Sequence, residues 1–268
     1  LTVENGSYSS TDPSLENDIP KGTQVFKTKS FEPFQVYNRL RGEKGKTVPV
    51  SLIGIKEDKR YIQRLSLFIR ANFFIPDARK GWKSFAVKKA REIIKEIGVD
   101  AIITTGPPQS THLIGLDLKK EFELPWIADF RDPWTNVYYN KFFPRTKKTE
   151  EKDRKLESTV LEKCDAITVV SNGLANEFGD RAARVEVVYN GFDHEDLSPK
   201  EEITTDHFCL EYIGNLKPNQ NVEALYEAIG ELVNEYTDFA DDFRLNYTGN
   251  ADQYLLDKMC NSFGLKSL

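Results

Sequence analysis

The sequence predicts an α/β fold in which parallel strands alternate with helices. From residue 83 onward, short apolar runs of strand length alternate with longer segments whose apolar residues recur at helical spacing. The apolar runs end in polar or small residues, as the strands of a parallel sheet do where their loops bind ligands. Strands this apolar are typical of a sheet that helices cover on both faces.

The elements of the first unit follow one another in regular order. Phe85, Val87 and Ala90 recur at helical intervals and Gly98 ends the pattern, which predicts a helix over 83–98. The charged segment 146–164 is predicted as a second long helix. The predicted strands of this unit read VDAIITTG, LPWIADF, DAITVVS and VEVVYNG, with helices between them.

A second unit of the same kind begins after the first. The strand FCLEYIG, a helix over 221–236, the strand FRLNYTG and a helix over 251–263 repeat the alternation. We therefore predict two Rossmann-like domains, over residues 1–194 and 195–268. The chain starts inside a strand, LTVE, and stops after a helix whose next strand is missing, so we expect a fragment whose second domain is incomplete.

Composition narrows the functional class. The 268 residues carry 37 basic and 42 acidic side chains, a net charge of -5, which disfavours general binding to nucleic acid. Three cysteines lie far apart, which argues against a disulfide framework and a zinc cage and predicts a reducing, cytoplasmic compartment. Three histidines without a close pair make a His-rich metal centre improbable. No apolar run approaches 18 residues.

Residues 30–80 combine aromatic side chains with arginines. The segments FEPFQVYNRLRG and RYIQRLSLFIRANFFIPDARKGW read as irregular helical stretches. Helices of this composition either lie on an anionic membrane surface or pack on the domain with their arginines in solvent. The sequence leaves both alternatives open. The arginines concerned are Arg39, Arg41, Arg60, Arg64, Arg70 and Arg79.

The stretch WIADFRDPW is the first candidate site. It delivers Asp129, Arg131 and Asp132 where a predicted strand ends. Carboxylates there offer general-base chemistry and the guanidinium offers a ligand for phosphate. A metal site is disfavoured because the arginine lies between the two acids. The structural alternative is an ion pair between Asp129 and Arg131 beside packed tryptophans.

Three further strand ends carry candidate residues. In TTGPPQSTH, Gly106 permits close approach, the next helix start offers backbone donors to an anion or hydroxyl, and His112 is either a ligand or a packed core residue. YNGFD follows the last strand of the first unit. In GNLKPNQN, Gly214 allows a ligand near the backbone and Lys217 offers a charge for phosphate; a plain turn is the alternative.

The order of these segments resembles one family. CDAITVVSNGLANEFGDRAARVEVVYNGFDHEDL, over 164–197, resembles the end of the first domain of GT-B glycosyltransferases of the family 4 type. LEYIGNLKPNQNVEALYEAI resembles the opening of their second domain. The resemblance covers about residues 84–262. It implies two Rossmann-like domains that face a cleft, with the acceptor bound by the first and the sugar nucleotide mainly by the second.

The resemblance also assigns roles to residues. It implies catalysis by Asp129, Arg131 and Asp132, with Arg131 standing where the family often carries a histidine. Contacts to the acceptor or sugar would come from four residues at strand ends: Gly106, His112, Asn190 and Gly191. Contacts to the nucleotide-sugar would come from Gly214, Asn215 and Lys217, although Asn215 and Gln220 stand where relatives often have a basic pair.

The function implied by the resemblance is sugar transfer from a nucleotide-sugar to a polysaccharide or lipid-linked acceptor in cell-surface glycan biosynthesis. Such enzymes usually need no metal or other cofactor and commonly retain the anomeric configuration. Peripheral contact with the inner face of the membrane fits this implied acceptor. Two alternatives remain: another nucleotide-sugar enzyme of this architecture, such as an epimerase, and a non-catalytic binding module on the same scaffold.

Overall fold

The computed structural model resolves the chain into two compact units, Leu1–Gly191 and Phe192–Leu268. It describes residues 1–4, 6, 13–31, 61–192, 205–216, 220–250, 252–263 and 265. The predicted domain boundary between residues 194 and 195 lies outside the described residues. So do most of the segment FEPFQVYNRLRG and the arginines Arg39, Arg41 and Arg60.

The first unit is built on a four-stranded parallel sheet. Its strands are β3 (Ile102–Gly106), β4 (Trp126–Phe130), β5 (Ala166–Val169) and β6 (Val185–Val187). They lie side by side in chain order and every pair is parallel. Four helices accompany them: α2 (Lys83–Glu96), α3 (Ser110–Phe122), α4 (Lys147–Lys163) and α5 (Asn172–Phe178). The predicted α/β fold with parallel strands is therefore confirmed.

The core of this unit lies on one face of the sheet. Trp126, Phe130 and Ile167 are fully buried there against α3, α4 and α5. Right-handed crossovers put every connecting helix on the same side when strand order follows chain order. The opposite face carries Ile103, which is 70% exposed. The expectation that helices cover both faces is therefore not met by the described residues.

The chain before this sheet forms a smaller layer. β1 (Thr2–Val3) and β2 (Lys27–Thr28) make a short parallel pair, and Trp82 Nε1 donates to Thr28 Oγ1 at 2.7 Å. The helix α1 (Tyr61–Phe73) comes next. Short 3-10 helices cover Pro13–Glu16, Lys80–Trp82 and, after β4, Tyr138–Phe142. Within the described ranges, no helix is both long and apolar enough to cross a bilayer.

The second unit pairs β7 (Phe208–Ile213) with β8 (Phe243–Thr248) in parallel. Its helices are α6 (Glu223–Glu235), α7 (Thr237–Asp242) and α8 (Gln253–Ser262). Tyr226, Ile229, Phe243, Met259 and Leu265 form its core. The predicted strand, helix, strand, helix order is confirmed, and the short helix α7 is an addition that the sequence did not reveal.

Candidate functional site

The first two strand-end loops meet at one edge of the sheet. Thr105 pairs with Asp129 and Gly106 with Phe130, so β3 and β4 end level with each other. The Arg131 backbone N–H donates to the Gly106 carbonyl oxygen at 3.1 Å, directly beyond the sheet. The structure thus brings Gly106 beside Arg131, the first residue of the loop after β4.

The Asp129 carboxylate is held by threonines on both neighbouring strands. Thr105 Oγ1 donates to one carboxylate oxygen at 2.7 Å and Thr168 Oγ1 donates to the other at 2.6 Å. This row of three residues crosses the sheet because Thr105, Asp129 and Thr168 are register partners. The structural alternative of an Asp129–Arg131 ion pair is therefore replaced by a pair of hydroxyl donors.

Arg131 and Asp132 are the exposed members of the loop. Both side chains lie at the protein surface. Partial burial raises the pKa of the Asp132 carboxyl above its ordinary value, and the charge of Arg131 offsets part of that rise. A carboxylate whose pKa moves toward neutrality is a stronger base than an ordinary aspartate. The loop therefore presents to solvent one cation and one carboxylate whose pKa is raised.

The start of α3 is already occupied by a side chain of the same chain. Ser110 N and Ser110 Oγ donate to the Asp77 carboxylate at 2.7 and 2.9 Å. Burial raises the pKa of Asp77, and the hydrogen bonds from Ser110 oppose the rise. Thr111 N and His112 N donate to backbone carbonyls. The backbone donors that were predicted to bind an anion at this helix start are therefore already engaged. The Asp77 carboxylate, which the sequence did not single out, occupies the place of that anion.

His112 packs in the core and does not reach the surface of the unit. It is fully buried, stacks on Phe130 with ring centroids 4.5 Å apart, and shares a 2.9 Å hydrogen bond between Nδ1 and Thr104 Oγ1. Gly106 makes this position available, since a Cβ there would lie 2.7 Å from His112 Nε2. The environment is that of the packed histidine, the alternative to a ligand-binding role.

Burial lowers the pKa of His112 from 6.5 to about 3, and the charge of Asp129 opposes the shift only in part. In the unfolded chain the imidazole takes up a proton near pH 6.5, whereas the folded protein resists it. Its contribution to stability is therefore complete above pH 6.5 and falls as pH decreases toward 3, by about 1.4 kcal/mol per pH unit.

We expect this loss to appear when urea unfolding is measured at pH 7, 6 and 5. The control is His112→Asn, which keeps an amide near Thr104 Oγ1 and removes the titrating group. The free energy of unfolding of the wild type should fall relative to the variant by about 2 kcal/mol between pH 7 and pH 5. A difference that stays constant with pH would show that the histidine is not held neutral.

Two buried carboxylates of α4 hold the far end of the loop. Asp153 Oδ1 accepts from Trp134 Nε1 at 2.8 Å, and Glu157 Oε2 accepts from the Thr135 backbone N–H at 2.8 Å. Asp153 is 2% exposed and Glu157 is 0% exposed. From the sequence alone, this helix is predicted only as a charged segment. The available signal was spacing, because positions 153 and 157 share a helix face with the apolar Val160 and Leu161.

The remaining predicted residues of the first unit follow β6. Asn190 and Gly191 are exposed, at the same edge of the sheet as the loop after β4 but two strands away. Tyr189 next to them accepts a hydrogen bond from Asn172 Nδ2 at 3.3 Å. The structure therefore places these residues on the common edge without a contact to Arg131.

In the second unit, Gly214 and Asn215 follow β7. Gly214 has a φ of +137°, which favours glycine. The backbone of Gly249 passes close to it, and a Cβ added at Gly249 would lie 2.2 Å from the Gly214 carbonyl oxygen. Asn250 Nδ2 donates to Asn215 Oδ1 at 3.1 Å. Lys217 lies outside the described residues. Across the parts of the chain that are described, no group of three or more His, Cys, Asp or Glu side chains is arranged to hold a metal ion.

Comparison with known proteins gives a family match. The model for Glycosyltransferase Family 4 matches residues 48–196, more than half of the chain. A solved structure, the S. aureus MnaA-UDP co-structure, is similar at 16% sequence identity with a TM-score of 0.34, and the match covers 69% of this chain and 49% of that one. The chain thus spans about half the length of that protein. A search of curated proteins found no significant match.

The matched residues contain the whole four-stranded sheet and both loops that meet at its edge. More than half of the chain fits the family model, so the predicted family is confirmed. The chain belongs to Glycosyltransferase Family 4.

Proposed function

We propose that this chain is part of a glycosyltransferase that moves a sugar from a nucleotide-sugar to a polysaccharide or lipid-linked acceptor in cell-surface glycan biosynthesis. One observation carries the proposal beyond family membership. The loop after β4 presents Arg131 and Asp132 at the carboxyl edge of a parallel sheet, beside Gly106. Ligands of open α/β sheets bind at this edge.

Each group has a chemical task in this proposal. Sugar transfer leaves negative charge on the departing nucleotide phosphate, and the Arg131 guanidinium stabilises charge of that kind through paired N–H donors. Asp132, with its raised pKa, accepts a proton from the attacking hydroxyl. Asp129, fixed by two threonines, orients a hydroxyl group of the sugar or acceptor.

The second unit supplies the nucleotide side of the proposal. Gly214, Asn215 and Lys217 would contact the nucleotide-sugar, with Gly214 allowing the ligand close to the backbone. Asn190 and Gly191 would contact the acceptor or sugar from the first unit. We propose that the reaction uses no metal and no cofactor, because Arg131 supplies the positive charge, and that it retains the anomeric configuration, as is common in the family.

The test uses the full-length protein and a panel of UDP-, GDP- and dTDP-sugars. Nucleotide release is followed with and without lipid extract and with added EDTA. Release that depends on lipid extract and persists in EDTA would support metal-independent transfer. Release of an altered sugar without transfer would favour an epimerase-like enzyme. Donor binding without any release would favour a binding module, and neither binding nor release across the panel would defeat the proposal.

We further propose that the protein works in the cytoplasm at the inner face of a membrane and contacts it through α1. Leu65, Phe68, Ile69 and Phe73 occupy one face of that helix and are all exposed. Asn72 on the same helix binds the backbone at Pro144 and Thr146, next to the exposed Lys147 and Lys148. Exposed apolar side chains beside lysines are the chemistry of an anionic membrane surface.

This contact predicts binding to lipid vesicles. Phe73→Asp is expected to lower binding to vesicles containing anionic lipid by about tenfold, because it exchanges an inserted ring for a charge that the lipid repels. The matched control is Tyr254→Asp, which changes a ring in the second unit that is 79% exposed, against 64% for Phe73. Co-sedimentation measures both. Equal losses in the two variants, or equal binding to vesicles without anionic lipid, would contradict the contact.

A further inference from the structure

The loop that carries Arg131 and Asp132 is anchored at each of its other positions. The Arg131 backbone N–H donates to the Gly106 oxygen, and Gln109 Nε2 donates to the Pro133 oxygen at 3.4 Å. The Trp134 side chain and the Thr135 backbone N–H are bound by α4. The exposed side chains of Arg131 and Asp132 therefore project from a backbone that is held on both sides.

The α4 anchors are two carboxylates in the interior of the unit. Asp153 and Glu157 lie one helical turn apart and are both almost completely buried. Each is matched by a cation from a different element: Arg145 bonds Asp153, and Arg181 lies 2.6 Å from Glu157. Burying a carboxylate is costly even when it is paired, and replacing a whole buried ion pair with apolar side chains of similar size is often neutral for stability. Two buried carboxylates that both bond one loop therefore favour the interpretation that they hold this loop in place.

The rings around Trp134 reinforce the same position. Trp134 is 3% exposed, and its ring lies 6.1 Å from that of His112 and 6.3 Å from that of Phe130. The indole is thus fixed by ring contacts on one side and by the Asp153 hydrogen bond at its N–H. Because Trp134 is only two residues from Asp132, its orientation fixes where the loop emerges.

We propose that Asp153 and Glu157 are positioning residues for sugar transfer, which hold the 131–135 loop so that Arg131 and Asp132 keep their places at the reacting groups. This role rests on the proposed function. Neither carboxylate touches substrate in it. Both act through the loop, where a displacement of about 1 Å lowers turnover by about 100-fold.

The experiment compares Glu157→Leu with Glu157→Gln in the full-length protein. Leucine removes both the acceptor for the Thr135 N–H and the partner of Arg181, whose side chain is 36% exposed and can turn to solvent. Glutamine keeps an acceptor oxygen. We expect the leucine variant to lose about 10- to 100-fold in kcat for the active donor, with KM for that donor changed less than about threefold, and the glutamine variant to recover most of the rate.

The matched control is Glu151→Leu, an exposed carboxylate on the same helix. It should leave kcat unchanged. If Glu157→Leu does not fold, Trp134→Phe tests the same anchoring from the loop side, since it keeps a ring and removes the donor to Asp153 Oδ1. A kcat loss of about 3- to 10-fold is then expected.

The outcomes separate this proposal from the proposed function. If the wild type is active and the Glu157→Leu or Trp134→Phe variant has the same kcat, the positioning role is overturned and the proposed function is not. Glutamine no better than leucine would also overturn it, because the acceptor oxygen would then be irrelevant. A wild type that neither binds nor releases nucleotide across the donor panel would defeat the proposed function, and the positioning role with it.

Discussion

Replacing Arg131 with alanine is expected to lower the turnover of sugar transfer by about 100- to 1000-fold, the usual cost of removing one donor that stabilises developing charge. The guanidinium is exposed at the end of β4, and its backbone is fixed to Gly106. If Arg131 acts mainly on charge that develops during transfer, the dissociation constant of the donor should change far less than kcat. Single-turnover kinetics and donor titration measure the two separately.

Two variants control this prediction. Arg131→Lys keeps the charge but not the planar fork of donors, so an intermediate loss is expected. Arg184→Ala removes an exposed arginine at the other end of the sheet, beside β6, where its pair with Glu186 is open to solvent. That change should leave turnover and stability near the wild-type values. A wild-type rate for Arg131→Ala would remove Arg131 from the site.

The alternation of elements was predictable because periodicity is local. Apolar spacing of two or of three to four residues reports each strand or helix without knowledge of its neighbours. Strand order is not local, and it decides which faces are covered. In the first sheet the order follows the chain, which collects α3, α4 and α5 on one face. Alternation alone is equally compatible with helices on both faces.

In the candidate site, too, the local features were predictable and those that depend on strand register were not. That Asp129, Arg131 and Asp132 stand at a strand end follows from where the apolar run stops. What Asp129 bonds depends on register, which brings Thr105 and Thr168 from segments 24 and 39 residues away. Within the sequence around Asp129 the nearest possible partner is Arg131, so the sequence indicated an ion pair between these two residues.

The role of Asp77 could not be predicted from the sequence for a related reason. It caps α3 across 33 residues of chain, and nothing near it in sequence marks the helix that it meets. Its carboxylate stands where an anion was expected, so the expectation had the right chemistry with the wrong source. Sequence identifies donors in need of an acceptor, whereas tertiary structure decides whether the chain itself supplies one.

Replacing Arg145 with methionine is expected to lower the free energy of unfolding by about 3 to 5 kcal/mol, because the change leaves the Asp153 carboxylate buried without its cation. The two side chains are 7% and 3% exposed, so water cannot replace the lost partner. Arg154→Met on the same helix breaks an exposed pair with Glu150 and should cost less than about 0.5 kcal/mol. Each variant loses one arginine, but only the Arg145 pair is buried. The difference between their free energies of unfolding, measured in urea, therefore reports the effect of burial.

A double variant separates the buried charge from lost packing. Adding Asp153→Asn to Arg145→Met removes the charge while an amide oxygen still accepts the Trp134 N–H, so part of the stability should return. If packing of the arginine stem were the main contribution, the second change would restore nothing. Equal losses for Arg145→Met and Arg154→Met would contradict the burial argument, and would also weaken the case that α4 holds the loop through charged anchors.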